Sequence, residues 1–201
     1  MSKQYGFLVN IGRCVQCEAC VAACKTTHNL ELGMKWRRVI TYWHGEFPAV
    51  VNRTFTLSCQ HCARPACVDV CPSSALSKRA KDGVVVLDRD ACTNCKICGD
   101  ACPYGAIQFA KDDSLQKCDF CSSRLARGQA PSCVVTCPTN ALQFGTTEEL
   151  AKISGAQQVE GELGPALFII PPTRAWDLRA FRSALARAKE PSVPQALTVI
   201  L

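Results

Sequence analysis

Short apolar runs rich in β-branched and aromatic residues recur along the chain, and turn-forming residues flank each of them. Three runs precede groups of cysteines: YGFLV at 5–9, RTFTL at 53–57 and GVVVL at 83–87. Two more, AIQF at 106–109 and ALQF at 141–144, follow such groups. The pattern predicts several short strands, with the cysteines in the segments between them.

The helical periodicity is weaker and predicts short helices. One is predicted at 148–153, where Thr146 and Glu149 fit a capping box. A second, basic and amphipathic, is predicted at 175–189. Its apolar face is formed by Trp176, Phe181, Leu185 and Ala188. The longest candidate for a membrane span, ALFII at 166–170, is far short of the roughly eighteen apolar residues that a span needs.

Cysteine is the unusual component, with 16 copies in 201 residues. Ordinary core residues are scarce once these cysteines are set aside, so the fold needs covalent or metal staples. A secreted disulfide scaffold is disfavoured, because the N-terminus, MSKQYGFLVNIGRC, lacks the apolar segment and cleavage site of an export signal. We expect synthesis in a reducing cytoplasm and cysteines that bind metal.

The formal net charge of +6 does not indicate a nucleic-acid partner. Charge counts that omit a bound metal are incomplete, because anionic metal–thiolate centres would offset the excess of cations. The lysines and arginines are therefore expected to compensate buried anionic centres.

All sixteen cysteines fall into four groups, each beginning with C-x2-C and ending with C-x3-C. The groups are Cys14, Cys17, Cys20 and Cys24; Cys59, Cys62, Cys67 and Cys71; Cys92, Cys95, Cys98 and Cys102; and Cys118, Cys121, Cys133 and Cys137. Groups two, three and four continue alike, as CPSSAL, CPYGAI and CPTNAL, whereas group one has Lys25 in place of the proline. Such internal repetition predicts repeated metal sites of one kind.

Zinc is the main alternative to iron–sulfur clusters at these thiolates. A tetrahedral zinc site normally draws two cysteines from each of two C-x2-C knuckles. In groups one and three, however, three cysteines fall within seven residues, which suits three corners of a cubane. The run at 92–103, C-x2-C-x2-C-x3-C-P, is the bacterial ferredoxin motif, whose fourth cysteine ligates the other cluster of a pair. The spacing predicts paired iron–sulfur clusters and leaves open which groups are paired.

The four groups, the opening QYGFLVN, CPYGA at 102–106 and KCDFCSSRLARGQAPSCVVTCP at 117–138 resemble the iron–sulfur subunits of the dimethyl sulfoxide reductase family of molybdopterin oxidoreductases. The resemblance covers about residues 3–153. It implies an α+β fold of two nested bacterial-ferredoxin-like modules with short strands, short helices and long loops. The outer module is expected at 1–52 and 115–171 and the inner one at 53–114, followed by a tail at 172–201 that carries the basic helix.

The resemblance also implies four 4Fe–4S clusters with crossed ligands. In the outer module, the expected sets are Cys14, Cys17 and Cys20 with Cys137, and Cys118, Cys121 and Cys133 with Cys24. In the inner module, they are Cys59, Cys62 and Cys67 with Cys102, and Cys92, Cys95 and Cys98 with Cys71. Some relatives replace one ligand and carry a 3Fe–4S cluster. This chain has cysteine at every ligand position, including Cys95, so all four clusters are expected to be 4Fe–4S.

Members of such a family do no substrate chemistry, so we expect a non-catalytic subunit with no small-molecule substrate. It would relay electrons between a molybdopterin catalytic subunit and an integral membrane subunit that handles quinol, in a terminal reductase of anaerobic respiration. The alternatives are a subunit of a formate dehydrogenase or hydrogenase, and a free soluble polyferredoxin. We expect membrane association through the partners, on the periplasmic or exterior face after co-export, with a cytoplasmic location as the alternative.

Residues outside the ligand sets suggest partner contacts. The segment 34–45, MKWRRVITYWHG, is rich in Trp, Tyr and Arg, which are common at interfaces, so we expect it to dock a catalytic subunit or to pack over a cluster. The C-terminal tail is expected to contact a partner or anionic lipid, or to be an ordinary surface helix. His61 is expected to be solvated or bonded to the backbone, the alternative being that its ring donates to a cluster sulfur or faces a partner. His28 and His44 are expected to be surface residues and not ligands.

Overall fold

The structure, a computed structural model, describes residues 3–174 and 176–189, and almost all of its elements are short. The strands are β1 Tyr5–Asn10, β2 Arg38–His44, β3 Val51–Leu57, β4 Leu76–Lys78, β5 Val85–Leu87, β6 Gln108–Phe109, β7 Leu115–Gln116, β8 Leu142–Thr146, β9 Gln157–Gln158 and β10 Leu167–Ile170. The helices are α1 Ala19–His28, α2 Ala66–Asp69, α3 Ile97–Ala101, α4 Ser122–Leu125, α5 Ser132–Val135, α6 Thr147–Ala151 and α7 Leu178–Arg187. The mixed α+β class with short elements is confirmed.

The largest sheet has four strands in the order β8-β1-β10-β9. β1 is its buried centre, antiparallel to β8 and parallel to β10, with Phe7 opposite Leu167. Gly6 permits the β1–β10 approach, because a Cβ at this position would lie 2.6 Å from the backbone oxygen of Ala166. The apolar run at 166–170, considered above only as a candidate membrane span, thus includes an interior strand.

Within the described residues, three two-stranded hairpins complete the strand structure: β2–β3, β4–β5 and β6–β7. The β2–β3 hairpin is the longest, pairing Arg38 with Leu57 at one end and His44 with Val51 at the other. The predicted module boundary at 52/53 lies inside β3, and the one at 114/115 lies between the paired strands β6 and β7. Strand pairing therefore runs across both boundaries.

The predicted helices are present with small changes of boundary. α6 has the predicted capping box, in which the Thr146 hydroxyl accepts the Glu149 N–H and the Glu149 carboxylate accepts the Thr146 N–H. α7 begins three residues later than predicted, because Asp177 caps it by accepting the N–H groups of Arg179 and Ala180. The apolar end of the tail lies outside the described residues. No helix of the described ranges is both long enough and apolar enough to cross a membrane.

The apolar core is divided into several clusters, and cysteines are prominent in the smaller ones. The main cluster lies between the four-stranded sheet, the β2–β3 hairpin and α7, where the Phe55 and Phe181 rings pack edge to face 5.0 Å apart. A second cluster contains Cys24, Cys59 and Cys118 beside Met34, Trp36 and Ala106. Cysteine side chains thus occupy positions that aliphatic residues fill in ordinary cores.

Candidate metal centres

The repeat in the sequence is also a repeat in backbone conformation. In every group, the residue two positions after the first cysteine has a positive φ; these residues are Gln16, His61, Asn94 and Phe120. Positive φ is uncommon for residues other than glycine, so four equivalent cases indicate a shared loop geometry. The third cysteine of every group is the second residue of a helix; these are Cys20, Cys67, Cys98 and Cys133.

Where proline follows the fourth cysteine, the helix that carries the third cysteine ends before the fourth. In groups three and four the chain turns back, and backbone N–H groups approach the fourth thiol: Ala106 N lies 3.5 Å from Cys102 Sγ, and Leu142 N lies 3.4 Å from Cys137 Sγ. In group two, burial alone would raise the pKa of the Cys71 thiol, but hydrogen bonds to its sulfur, among them those from the backbone of Leu76 and Ala75, lower the pKa. In group one, Lys25 replaces the proline, and α1 continues to His28. This difference follows from the ring of proline, which is incompatible with a helix interior.

The cysteines of groups two and three line two separate cavities. One cavity is lined by Cys59, Cys62, Cys67 and Cys102. The other is lined by Cys71, Cys92, Cys95 and Cys98. Each cavity therefore combines three cysteines of one group with the fourth cysteine of the other.

Groups one and four approach each other through the packing of α1 against α5. Burial raises the pKa of the Cys14 thiol, and the nearby thiols of Cys20 and Cys137 raise it further. Burial likewise raises the pKa of Cys24 to about 12, with a contribution from the Cys133 thiol that the charge of Arg37 opposes. Thiols of the two groups are thus close enough to affect one another's ionisation.

The chemistry of these side chains fits metal-bound thiolates. All sixteen cysteines are free of disulfide bonds. Burial raises the thiol pKa of nine of them: Cys14, Cys20, Cys24, Cys59, Cys62, Cys67, Cys98, Cys118 and Cys121. A buried thiolate is unfavourable unless a cation neutralises it, and a metal that binds the sulfur supplies this cation and displaces the proton. Sets of four soft thiolates are the donors that iron–sulfur clusters require.

Two histidines are more buried than the sequence predicts. His61 is fully buried, and its Nδ1 accepts the N–H of Val85 at 3.0 Å, so the backbone-bonded alternative is correct and the solvated one is wrong. His28 is partly buried, with Nε2 3.3 Å from the Sγ of Cys121 and 3.8 Å from the carboxylate of Asp119. The expectation of a surface position for His28 is therefore wrong.

The segment 34–45 contributes more to the interior than to an exposed surface. Trp36, Arg37 and Tyr42 are buried, whereas Trp43 is 66% exposed near the tip of the β2–β3 hairpin. Two buried cations, Arg37 and Lys117, lie beside cysteines, and the sequence alone assigns neither of them a role. The composition indicates such cations only through the overall excess of basic residues, which does not identify individual positions.

The comparisons with known proteins agree with this chemistry. Residues 50–147 match the family model of the 4Fe–4S dicluster domain. The matched part contains groups two, three and four, and group one lies outside it.

Relatives align with most of the chain. The probable anaerobic dimethyl sulfoxide reductase chain YnfG of Escherichia coli K12 is 41% identical over 180 residues, covering 85% of this chain and 87% of that protein. The B subunit of anaerobic dimethyl sulfoxide reductase from the same strain is 40% identical with the same coverage. Protein NrfC of this strain is 39% identical over 150 residues, covering 73% of this chain and 67% of NrfC. The protein therefore belongs to the family of iron–sulfur electron-transfer subunits that includes the B subunit of anaerobic dimethyl sulfoxide reductase.

Proposed function

We propose that the chain holds four 4Fe–4S clusters in two nested ferredoxin-like modules and passes electrons between a molybdopterin catalytic subunit and an integral membrane subunit that handles quinol. The observation that carries the proposal is the lining of the two cavities, where the fourth cysteine of each group lies with the first three of the other. Crossed ligands of this kind keep two clusters close together, as electron transfer between them requires.

The proposed ligand sets follow this crossing throughout. They are Cys59, Cys62, Cys67 and Cys102; Cys71, Cys92, Cys95 and Cys98; Cys14, Cys17, Cys20 and Cys137; and Cys24, Cys118, Cys121 and Cys133. Nesting is supported by the four-stranded sheet, whose strands all come from residues 5–10 and 142–170, while the β4–β5 hairpin lies within 53–114. In a nested arrangement, the N-terminal and C-terminal segments together form the outer module, and the inner module is inserted between them in the sequence.

The clusters, when bound, supply one-electron oxidation and reduction. The chain supplies the thiolates, excludes water and stabilises negative charge on sulfur. Cys137 illustrates the stabilisation of negative charge on sulfur. Burial alone would raise the pKa of its thiol, but hydrogen bonds from the Leu142 N–H and the Thr139 hydroxyl outweigh burial, so the pKa is lowered. Hydrogen bonds to ligand sulfur are one of the levers by which a protein sets the potential of a cluster.

Two surfaces suit the entry and exit of electrons. Cys17 and Cys95, the second cysteines of groups one and three, are the two exposed ones. Apolar residues within the same proposed sites are also exposed: Val15 at 61% and Val135 at 64% in one, and Ile97 at 48% in the other. Exposed apolar residues beside an electron donor or acceptor suit docking of a partner protein. This pair of surfaces supports a relay between two partners.

The partners and the location follow from family membership. Two relatives are named as parts of dimethyl sulfoxide reductase. We infer that this chain likewise acts within a complex, attached to the membrane through other subunits and facing the periplasm or the exterior. Purification from native membranes tests this: a partner with molybdenum or tungsten and pterin supports the relay. A chain recovered alone supports the free-carrier alternative.

The cluster content is tested on anaerobically prepared protein. About sixteen iron atoms and sixteen acid-labile sulfides per chain are expected, and values near zero would refute the proposal. The crossing is tested with pairs of serine variants. Cys102→Ser and Cys59→Ser should remove the same EPR signal, and Cys71→Ser and Cys92→Ser should remove a different one. Should Cys102→Ser remove the signal that Cys92→Ser removes, the ligands are not crossed.

A further inference from the structure

Arg37 is a buried cation held in a fixed position. Arg37 is only 2% exposed. Nη1 donates to the Thr56 hydroxyl at 3.2 Å and Nη2 to the Ser58 hydroxyl at 2.9 Å. The guanidinium carbon lies 4.4 Å from the centre of the Phe7 ring. Neutral hydroxyls and an aromatic face thus orient the guanidinium without neutralising its charge.

No carboxylate of the described residues forms an ion pair with Arg37, since the ion pairs found there involve His28, Arg79, Lys96 and Arg182 instead. A buried charge without a partner is strongly unfavourable, and buried charges in proteins are normally paired. The guanidinium does not escape this cost by losing its proton, because arginine stays charged in proteins. An anion is therefore expected near Arg37.

The groups nearest to Arg37 that can carry negative charge are cysteine thiols of groups one and four. The Thr56 hydroxyl that accepts from Arg37 lies 3.5 Å from the Sγ of Cys20. Burial lowers the pKa of Arg37, but the charges of Cys133, Cys118, Cys20 and Cys24 outweigh it, and the net pKa is raised. Cys20 belongs to one proposed outer set, and the other three cysteines belong to the second. The anion that Arg37 faces is thus the pair of outer sites.

We propose that Arg37 is the fixed countercharge of the two outer clusters and raises their reduction potentials. The inference rests on the proposed function, since it requires both clusters. An added electron makes a cluster more negative, and a nearby cation shielded from water stabilises that reduced form more than the oxidised one. Net charge near a cluster is one of the factors that set its potential.

The test is a redox titration followed by EPR on the full iron-loaded chain, comparing Arg37→Met and Arg37→Lys with the wild type. Arg37→Met should lower the equilibrium constant for reduction at least tenfold in two of the four clusters, which is 59 mV or more for one electron. The cluster of Cys71, Cys92, Cys95 and Cys98 should stay within threefold. Arg37→Lys keeps the charge and should stay within threefold for all four.

Arg182→Met is the control, because Arg182 is an exposed arginine of α7 that pairs with Glu160. It should leave all four potentials within threefold. If Arg37→Met does not fold, Arg37→Gln serves as the neutral variant under the same criterion. Should both neutral variants fail to fold, Arg37 has a structural role and the inference is overturned.

Three results would overturn the inference: four bound clusters with unchanged potentials in a neutral variant, equal shifts in the methionine and lysine variants, or loss of folding in both neutral variants. Each is distinguishable from failure of the proposed function. That failure appears in the wild-type chain itself, as an iron and sulfide content far below sixteen each.

Discussion

Phe120 lies between Cys118 and Cys121, and its replacement by alanine tests how the apolar core holds the metal-binding loops. Its ring is 1% exposed. It stacks on Phe7 with centroids 4.3 Å apart and meets the His61 ring edge to face at 5.2 Å. Phe120 thus joins the core of the four-stranded sheet to two groups of cysteines.

The expected cost of Phe120→Ala is about 3–5 kcal/mol, the usual range for a buried phenylalanine. The positive φ at this position does not contribute to the difference, because phenylalanine and alanine both carry a Cβ. The backbone N–H that lies 3.4 Å from Cys118 Sγ is also retained. Each kcal/mol corresponds to about 2–4 °C for a chain of this size, so the melting temperature should fall by about 6–20 °C.

The assay is anaerobic thermal unfolding of the iron-loaded chain at one fixed scan rate, with iron content measured before each scan. Phe47→Ala is the matched control, since Phe47 is 92% exposed and its loss should change stability by less than about 0.5 kcal/mol. Phe120→Leu should cost about 1–2 kcal/mol, because it keeps most of the volume and loses the aromatic pairs. A Phe120→Ala protein that melts within about 2 °C of the Phe47→Ala control would refute the reasoning.

Three further predictions concern the sheet, a helix cap and the metal. Gly6→Ala should cost about 1–3 kcal/mol in denaturant unfolding, because the new Cβ would meet the Ala166 oxygen. Gly145→Ala is its control, and equal costs would contradict the explanation. Thr146→Ala should lower stability by about 1 kcal/mol through loss of the N-cap, and an unchanged melting temperature would argue against it. Chelation of iron under reducing conditions should largely unfold the chain, because metal–thiolate bonds replace core contacts. A cooperative, native-like melting curve of the iron-free chain, followed by circular dichroism, would contradict this.

The parts of the site that could be predicted from the sequence are those with strict local spacing. C-x2-C places thiols within one turn of the backbone, so groups of cysteines could be assigned to metal sites without knowledge of the fold. The capping box of Thr146 and Glu149 is equally local and is present as predicted. Family membership is confirmed, and the crossed ligand sets remain a prediction that the cavity linings support.

The parts that could not be predicted depend on contacts between distant residues. Arg37 lies in the segment 34–45, for which the sequence left docking to a partner and packing over a cluster both open, and Thr56 and Ser58 enclose it from a distant part of the chain. His61 has no local signal for burial, since its partner Val85 is far away in the sequence. The residues at 166–170 lack the period-two alternation of a half-buried strand, because β10 is buried and packs beside the central strand β1.

The departure of group one from the repeat explains how the outer sites acquire their surroundings. Because Lys25 stands where the other groups have proline, α1 is not interrupted after Cys24 and runs on to His28, whose ring reaches Cys121 of group four. The Lys25 ammonium also donates to the backbone oxygens of Glu31 and Met34, which fixes the segment leading directly into Trp36 and Arg37. The repeated positions thus supply the ligands. The departure of group one from the repeat brings Lys25 and His28 to the outer sites.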